Sequence, residues 1–525
     1  MSSSSHSPRS NAPAALLAGS LVAALHPLRY GYTYGAGDHD DLLPPIQAWL
    51  EPGLFSQDAY VQSQLDGVTV RTVFQALVRS LGGFLELPLA VGIFHLLVAV
   101  GVGAGVFLLA RALRAGRTAS LLATLLACVV VPGATIGGNR VIYSLLAPEG
   151  IAWALLVPAL ALFARKRRLQ AAVMIGFAAW FHLLAAGLVA IALTAVALVE
   201  AASRPRDVQQ AAAFGGLSAL VAAPVAIPVL LQQAAEARAI LPDGLDAFTL
   251  YAVVRFPHHY LPHASGETAW ALTVLLGVLG LLGYGIARQS ERPPHVRFPV
   301  RFAIVSVVLM AAAAVGIYGF ESLSAARAQA FKLTLVLNVL ACIGIAVGVL
   351  ARVPASVRQP ADRFLRHRRW LLTWIAGFVL VLASFARVSP DRGPAHAIAE
   401  WAQFNTPRQA VFAVPPSLAS FRVTAERSVV GTWKSVPFRA DLASEWWQRL
   451  MAVAPLDPVP ASGAGLLSRL DSSYAAQPDA ARQRLADRYG ADFAVLPRQV
   501  QTQLPVAFAT DDWTVVRLRE PTEGE

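Results

Sequence analysis

Charged side chains are scarce in this sequence: they make up 14% of its 525 residues, where an ordinary soluble domain carries roughly 25%. A water-soluble fold is therefore not the expectation, because 56% of the residues are hydrophobic and they gather into long runs that call for the bilayer as solvent. Lysine is almost missing: Lys166, Lys332 and Lys434 are the three present, and arginine supplies the other basic residues. The two cysteines, Cys128 and Cys342, both lie inside apolar runs, which leaves no disulfide framework for any exported part. Also lacking are a glycine loop followed by Lys-Ser or Lys-Thr, a zinc-protease helix and a nucleophile elbow, so nucleotide hydrolysis is not expected. The formal net charge of +11 does not point to nucleic acid, because the basic residues cluster between apolar runs, where they set membrane topology.

What is present is a series of such runs. Taking about 18 residues as a span, with shorter ones admitted where helices tilt or pair, they fall near 13–28, 88–110, 118–136, 148–164, 169–181, 183–200, 208–233, 268–287, 302–319, 332–351 and 370–387. The expected fold class is mainly α, a polytopic membrane helix bundle of about eleven spans. Residues 1–12 are polar and expected to be a disordered cytoplasmic start, and the run after them lacks a clear small-residue cleavage site, so it reads as a retained first helix. Five connections hold the basic clusters: Arg111, Arg114 and Arg117; Arg165, Lys166, Arg167 and Arg168; Arg204 and Arg206; Arg288, Arg292, Arg297 and Arg301; and Arg352 through Arg369. Placing all five in the cytoplasm satisfies the positive-inside rule. It requires 169–200 to cross twice, as a hairpin with His182 at its outer tip, and it puts everything after 387 outside. The expected location is an inner (plasma) membrane.

After Phe385 the composition shifts toward acids and aromatics. Helices are expected over 395–403, 440–451 and 478–489, the last ending at Gly490, and short strands over 410–414, 428–432, 492–496 and 513–518. Helices alternating with apolar strands imply a small extracytoplasmic α/β domain, 388–525, after a transmembrane domain, 13–387.

Three polar groups fall on the expected outer side. The first loop carries Asp38, His39, Asp40 and Asp41 in succession. Carboxylates this close repel one another unless protons or a cation intervene. Asp38 and Asp40 are thus candidate general bases, and Asp38, His39 and Asp41 candidate ligands of a divalent ion such as Mg or Mn. A solvated turn before a helix over 42–50, with acids favoured by the helix dipole, accounts for the same pattern. Asp58 and Asp66, further along, read as structural. The second group is Arg255, His258, His259, Tyr260 and His263, able to bind metal, shuttle protons or hold phosphate oxygens, or else a proline-braced interfacial loop with Tyr260 as a belt residue. The third is Glu321, Arg327 and Lys332, either a phosphate clamp or snorkelling cations. Asn139, Arg140, Glu149 and His182 stand singly on the same side, where each alone reads as a satisfied polar group and their shared side adds weight to a substrate-binding role.

With its acidic motif following the first span, the chain resembles the GT-C class of membrane glycosyltransferases. The segment from Trp401 to Phe412 is similar to the start of many C-terminal domains in that class, and the segments 34–58 and 255–262 resemble an uncharacterised bacterial membrane-protein family near it. The Trp-Trp-Asp motif of oligosaccharyltransferases is replaced by Trp446-Trp447-Gln448, and no second Asp-x-Asp pair follows. The resemblance implies an inverting transferase that takes sugar from a polyprenyl-phosphate-linked donor at the outer face of a bacterial inner (plasma) membrane, with membrane lipid as a partner and no nucleic acid. Asp38 or Asp40 would be the base, and Arg255, His258, His259, Tyr260, Arg327, Lys332, Asn139 and His182 would contact substrate. The alternative is a non-enzymatic transporter or lipid-handling protein, which calls for ionisable residues deep inside several spans.

Overall fold

The computed structural model describes residues 11–201, 205–236, 246–289, 293–364, 393, 395–437, 440–456 and 465–519. The chain forms two compact units, one of Met1–Tyr32, Gly92–Ala226 and Phe256–Arg387, the other of Thr33–Val91, Ile227–Arg255 and Val388–Glu525.

The first unit is helical. Helices occupy Ala12–Tyr30, Leu87–Ala112, Arg117–Leu125, Pro148–Ala164, Arg168–Ala179, Leu183–Ala201, Pro205–Glu236, Gly266–Ala287, Arg297–Phe320 and Leu333–Arg352. A single π turn, Leu126–Val130, prolongs the third of these. Each lies on an expected apolar run, while the run at 370–387 falls outside the described residues. Seven helices are long and apolar enough to cross a membrane, and three shorter apolar ones accompany them. The protein is membrane-embedded. His182 lies in the short turn between Arg168–Ala179 and Leu183–Ala201, which pack against each other as separate helices.

Burial sorts these helices into inner and outer ones. The segment Leu323–Arg352 is 78% buried over its most apolar window, whereas Arg297–Phe320 is 17% buried. The outer helices expose Leu275, Val278, Leu282, Val307 and Val308, an apolar surface suited to lipid tails. Because those tails are as apolar as leucine, helices in a bilayer associate through close packing of small residues. Gly280 and Gly283 face Gly344 and Gly348, and a Cβ on Gly280 would come within 2.6 Å of the Ala341 Cα.

The second unit is built on a five-stranded sheet of β1 (Val411–Ala413), β2 (Ser428–Val429), β3 (Phe493–Pro497), β4 (Val506–Ala509) and β5 (Trp513–Arg517), in the order β2-β1-β3-β5-β4. β1 runs parallel to β2 and β3, while β5 is antiparallel to β3 and β4. β1 is buried throughout, as an interior strand of a sheet covered on both faces requires. Phe412 stacks on Phe493 with ring centroids 5.0 Å apart, in a core shared with Ile398, Phe421, Val495 and Val515. The Tyr474 hydroxyl lies 3.0 Å from the Ala413 carbonyl and 2.9 Å from that of Val495, pinning the helix Leu466–Ala476 to the sheet. The same unit holds the short helices His39–Leu42, Pro44–Leu50, Ala59–Leu65 and Thr72–Gly82.

Candidate functional site

The acidic loop lies wholly within the second unit. Gly35 and Gly37 adopt φ of 79° and 66°, a left-handed turn open to glycine at little cost, which leads the chain into His39–Leu42. His39 is fully buried; its Nδ1 accepts a hydrogen bond from the Gly35 N–H at 3.2 Å. Asp38 stays at the rim, its side chain 58% exposed and its Oδ1 3.2 Å from the Lys434 Nζ. Asp41 is buried: its Oδ1 accepts from the Ser435 hydroxyl at 3.2 Å, and its Oδ2 lies 3.8 Å from the Arg71 guanidinium. Tyr60 donates to the Asp41 carbonyl at 3.1 Å, and Arg71 in turn donates to the Tyr60 hydroxyl.

A cationic shell surrounds these carboxylates. Arg422 donates to the Ser435 hydroxyl at 2.6 Å and lies over the Tyr60 ring. Arg255 donates to the Lys434 carbonyl at 2.9 Å and packs over Trp433. Asp40 is 6% exposed, and its Oδ1 has no hydrogen-bond partner among the described residues. Burial pushes its carboxyl up to about 8, with Lys434 and Arg422 opposing and the charges of Asp41 and Asp38 adding to the rise. Burial also raises Asp41, against the pull of Arg71, Lys434, Arg255 and Arg422. The result is a proton-holding acid beside fixed cations, suited chemically to proton transfer near neutral pH and to binding of an anion.

The expected metal ligands do not converge. Asp38 faces Lys434, His39 turns its Nδ1 to the Gly35 amide, and Asp41 is engaged by Ser435 and Arg71. Among the described residues, no group of three or more His, Cys, Asp or Glu side chains is placed to hold a metal ion. As arranged, the three do not fit a divalent ion.

The helical unit contains its own polar cluster. Glu149, in the first turn of Pro148–Ala164, accepts from the Lys332 Nζ at 2.6 Å and the Tyr143 hydroxyl at 3.1 Å through Oε2. Trp153 Nε1 donates to its Oε1 at 3.1 Å, and His182 Nε2 stands 3.7 Å from Oε2. Glu149 thus joins Lys332 and His182, two candidates from different runs. Nearby in the chain, Lys332 is followed by Thr334, whose hydroxyl accepts from the Ile136 N–H at 3.0 Å. Asn139 is 2% exposed and donates to the Ile136 carbonyl at 3.2 Å. His259 Nδ1 lies 3.0 Å from the Gly137 carbonyl, and the His258 and His259 rings are 4.1 Å apart. Tyr260 contacts the Phe256 ring, and Arg327 is half-buried on Leu323–Ala328. The contiguous 255–263 motif is therefore divided: Arg255 belongs with the acids, and His258, His259 and Tyr260 belong to the helical unit.

Comparison with known proteins gives three results. A family model described as a domain of unknown function, DUF6798, matches residues 394–453. A search of curated proteins finds no match. Among solved structures, the chain is similar to the Archaeoglobus fulgidus oligosaccharyltransferase in its apo form, with a TM-score of 0.48 and 12% identity over 94% of this chain and 70% of that one. It is likewise similar to the enzyme of the same archaeon in complex with an inhibitory peptide and a dolichol-phosphate, at TM-score 0.47 and 13% identity over 92% and 69%. For the complex of that enzyme with zinc and sulfate the figures are 0.44, 13%, 92% and 68%.

Sequence reasoning located the acids but not what holds them. Arg71, Arg422 and Ser435 went unnoticed, and Lys434 was visible only as one of three lysines. Arg71 did carry a signal, as a basic residue in a loop expected to lie outside and otherwise poor in them.

Proposed function

We propose that the protein is a membrane glycosyltransferase that moves a sugar from a polyprenyl-phosphate-type lipid donor to an acceptor hydroxyl on the extracytoplasmic face, with inversion at the anomeric carbon. Asp40 carries this reading: it is a buried carboxyl with an oxygen unpartnered among the described residues, its pKa raised by burial to about 8, and it is ringed by cations. A general base works best with a pKa near the operating pH. Asp40 takes the proton of the acceptor hydroxyl as that oxygen bonds to the anomeric carbon. The bond from that carbon to the phosphate oxygen breaks, and its electron pair leaves with the phosphate. The cations Arg71, Arg422, Lys434 and Arg255 gathered about this carboxyl favour an anionic donor. Asp38 positions Lys434. No step is assigned to a metal.

In the helical unit, His258, His259, Tyr260, Asn139, Arg327, Lys332 and His182 are proposed contacts of the lipid-linked substrate. The transporter alternative calls for charge in the middle of spans. Glu149 and His182 instead lie at helix ends, as does Lys332, just before Leu333–Arg352.

The direct test is transfer of labelled sugar from a polyprenyl-phosphate donor by the purified full-length protein. Loss of a general base predicts that Asp40→Asn lowers the rate by about 100-fold or more. Undiminished transfer by that variant removes Asp40 as the base, and absence of transfer by the unmodified protein across donors removes the transferase reading.

A further inference from the structure

Three connections of the helical unit bring basic residues to one place. Glu200, closing Leu183–Ala201, accepts from the Lys166 Nζ at 2.5 Å, the Arg168 guanidinium at 3.0 Å and the Arg301 guanidinium at 3.0 Å. Phe163 and Phe298 touch with ring centroids 5.9 Å apart, setting the 165–168 connection beside the start of Arg297–Phe320. The His295 N–H donates to the Leu113 carbonyl at 3.0 Å, which brings in the connection of Arg114. His295 is lowered from the ordinary histidine value by burial and then by the charges of Arg114, Arg297 and Lys166, one from each connection. Five cations thus gather about Glu200 and His295, and Glu200 is the one carboxylate ion-paired to them among the described residues.

The positive-inside rule asks only that a connection be basic; it does not ask separate connections to converge. Drawing like charges together costs free energy unless an anion joins them. Two of these cations also hold unusual backbone: Arg114 and Lys166 have φ of 68° and 64°, just past the ends of Leu87–Ala112 and Pro148–Ala164. Glycine or asparagine ordinarily fills that left-handed position. Here long cations occupy it, both exposed, and one is among the three lysines in the chain. Such a departure from the relaxed choice is the kind of strain found at binding sites.

We propose that this cluster binds the phosphate headgroup of an anionic membrane lipid, with Arg114, Lys166 and Arg297 as the contacts and Arg168 and Arg301, fixed by Glu200, as its floor. The lipid is preferred over free phosphate because the exposed cations stand at the ends of membrane-embedded helices, the level at which headgroups lie. The site goes beyond the transferase reading and does not depend on it.

The experiment uses the full-length protein in neutral detergent, titrated with phosphatidylglycerol, phosphatidylcholine or inorganic phosphate and read by native mass spectrometry and thermal unfolding. Phosphatidylglycerol is expected to stay bound and raise the unfolding temperature, and the other two are not. Removing one cation weakens binding by about fivefold, so R114N/K166N/R297Q is expected to lose affinity on the order of a hundredfold. Asparagine suits the left-handed backbone, which preserves the fold, and the charge-keeping R297K is expected to retain binding. R352Q removes an exposed cation outside the group and is expected to leave binding unchanged. Equal lipid retention by the triple variant overturns the site, as does an equal loss in R352Q, which would mean diffuse charge. Phosphate acting as strongly as the lipid overturns the choice of ligand.

Discussion

Arg422 reaches Asp58 through an Nε–Oδ2 contact of 2.8 Å, with each side chain 1% exposed, although 364 positions separate them in the chain. The same Oδ2 accepts from the Val429 N–H at 3.0 Å, and Oδ1 caps Ala59–Leu65 by accepting from the Val61 N–H at 3.0 Å. A desolvated ion pair therefore joins the first loop to the sheet segment of the second unit. Removing one partner strands the other charge in the interior. Asp58→Ala is expected to cost about 3–5 kcal/mol, measured by denaturant unfolding of the purified protein. A loss under about 1 kcal/mol, the range of an exposed pair, would show that the pair is not what joins these segments.

Asp40 predicts a pH dependence of definite sign. Its carboxyl is raised from 3.8 to about 8 in the fold. Below about pH 4 the carboxyl is protonated in both states and contributes no difference. Between there and about pH 8 the unfolded chain has lost the proton and the folded one keeps it, so stability falls as pH rises. Asp40→Asn is expected to flatten part of that slope, the remainder belonging to Asp41, which is raised in the same direction. Transfer activity, needing the ionised base, is expected to climb through about pH 8. Parallel slopes for the variant and the parent would contradict this assignment.

Glu149 and Lys332 form a second buried pair, at 2.6 Å with side chains 11% and 5% exposed. Lys332→Met leaves the carboxylate with Tyr143, Trp153 and His182 as its remaining contacts, at an expected cost of about 3–5 kcal/mol. The double variant Glu149→Gln, Lys332→Met removes both charges and is expected to recover much of that loss. A double-mutant cycle on thermal stability reads the coupling, and additive effects would mean that the two do not act as a pair.

The glycine seam makes a steric prediction. Gly280→Val places a Cβ 2.6 Å from the Ala341 Cα, so the Gly266–Ala287 and Leu333–Arg352 helices must separate. Overpacking of this kind costs about 1–3 kcal/mol, and Gly277→Val, at a position with open space around it, is the control. Equal effects of the two on thermal unfolding would rule out close packing as the role of Gly280.

Local patterns made much of this fold legible. Ten apolar runs announced their helices because hydrophobicity over a span-length window is a property of one segment. The break at His182 followed from charge counting alone. β4 was missed because it is short, half-exposed and leads into a bulge between Val506 and Phe508. The helices Phe421–Ala425 and Leu466–Ala476 were missed too, the first being a single turn. The partners of the acids were beyond reach for a different reason. Ser435 lies 394 positions from Asp41, and Arg422 serves Asp58 and Ser435 together. No local pattern encodes such pairings. Arg255 and His258, three positions apart, are assigned to different units.

The scarcity of lysine has a practical corollary. Each of the three amines is matched to a different carboxylate: Lys166 to Glu200, Lys332 to Glu149 and Lys434 to Asp38. Their side-chain exposures are 63%, 5% and 27%, so an acylating reagent should modify them in the order Lys166, Lys434, Lys332. Three peptides in a mass spectrum then report separately on the basic cluster, the acidic loop and the helical interior. Protection of one amine by an added compound would indicate which of the three that compound reaches, without any engineered label.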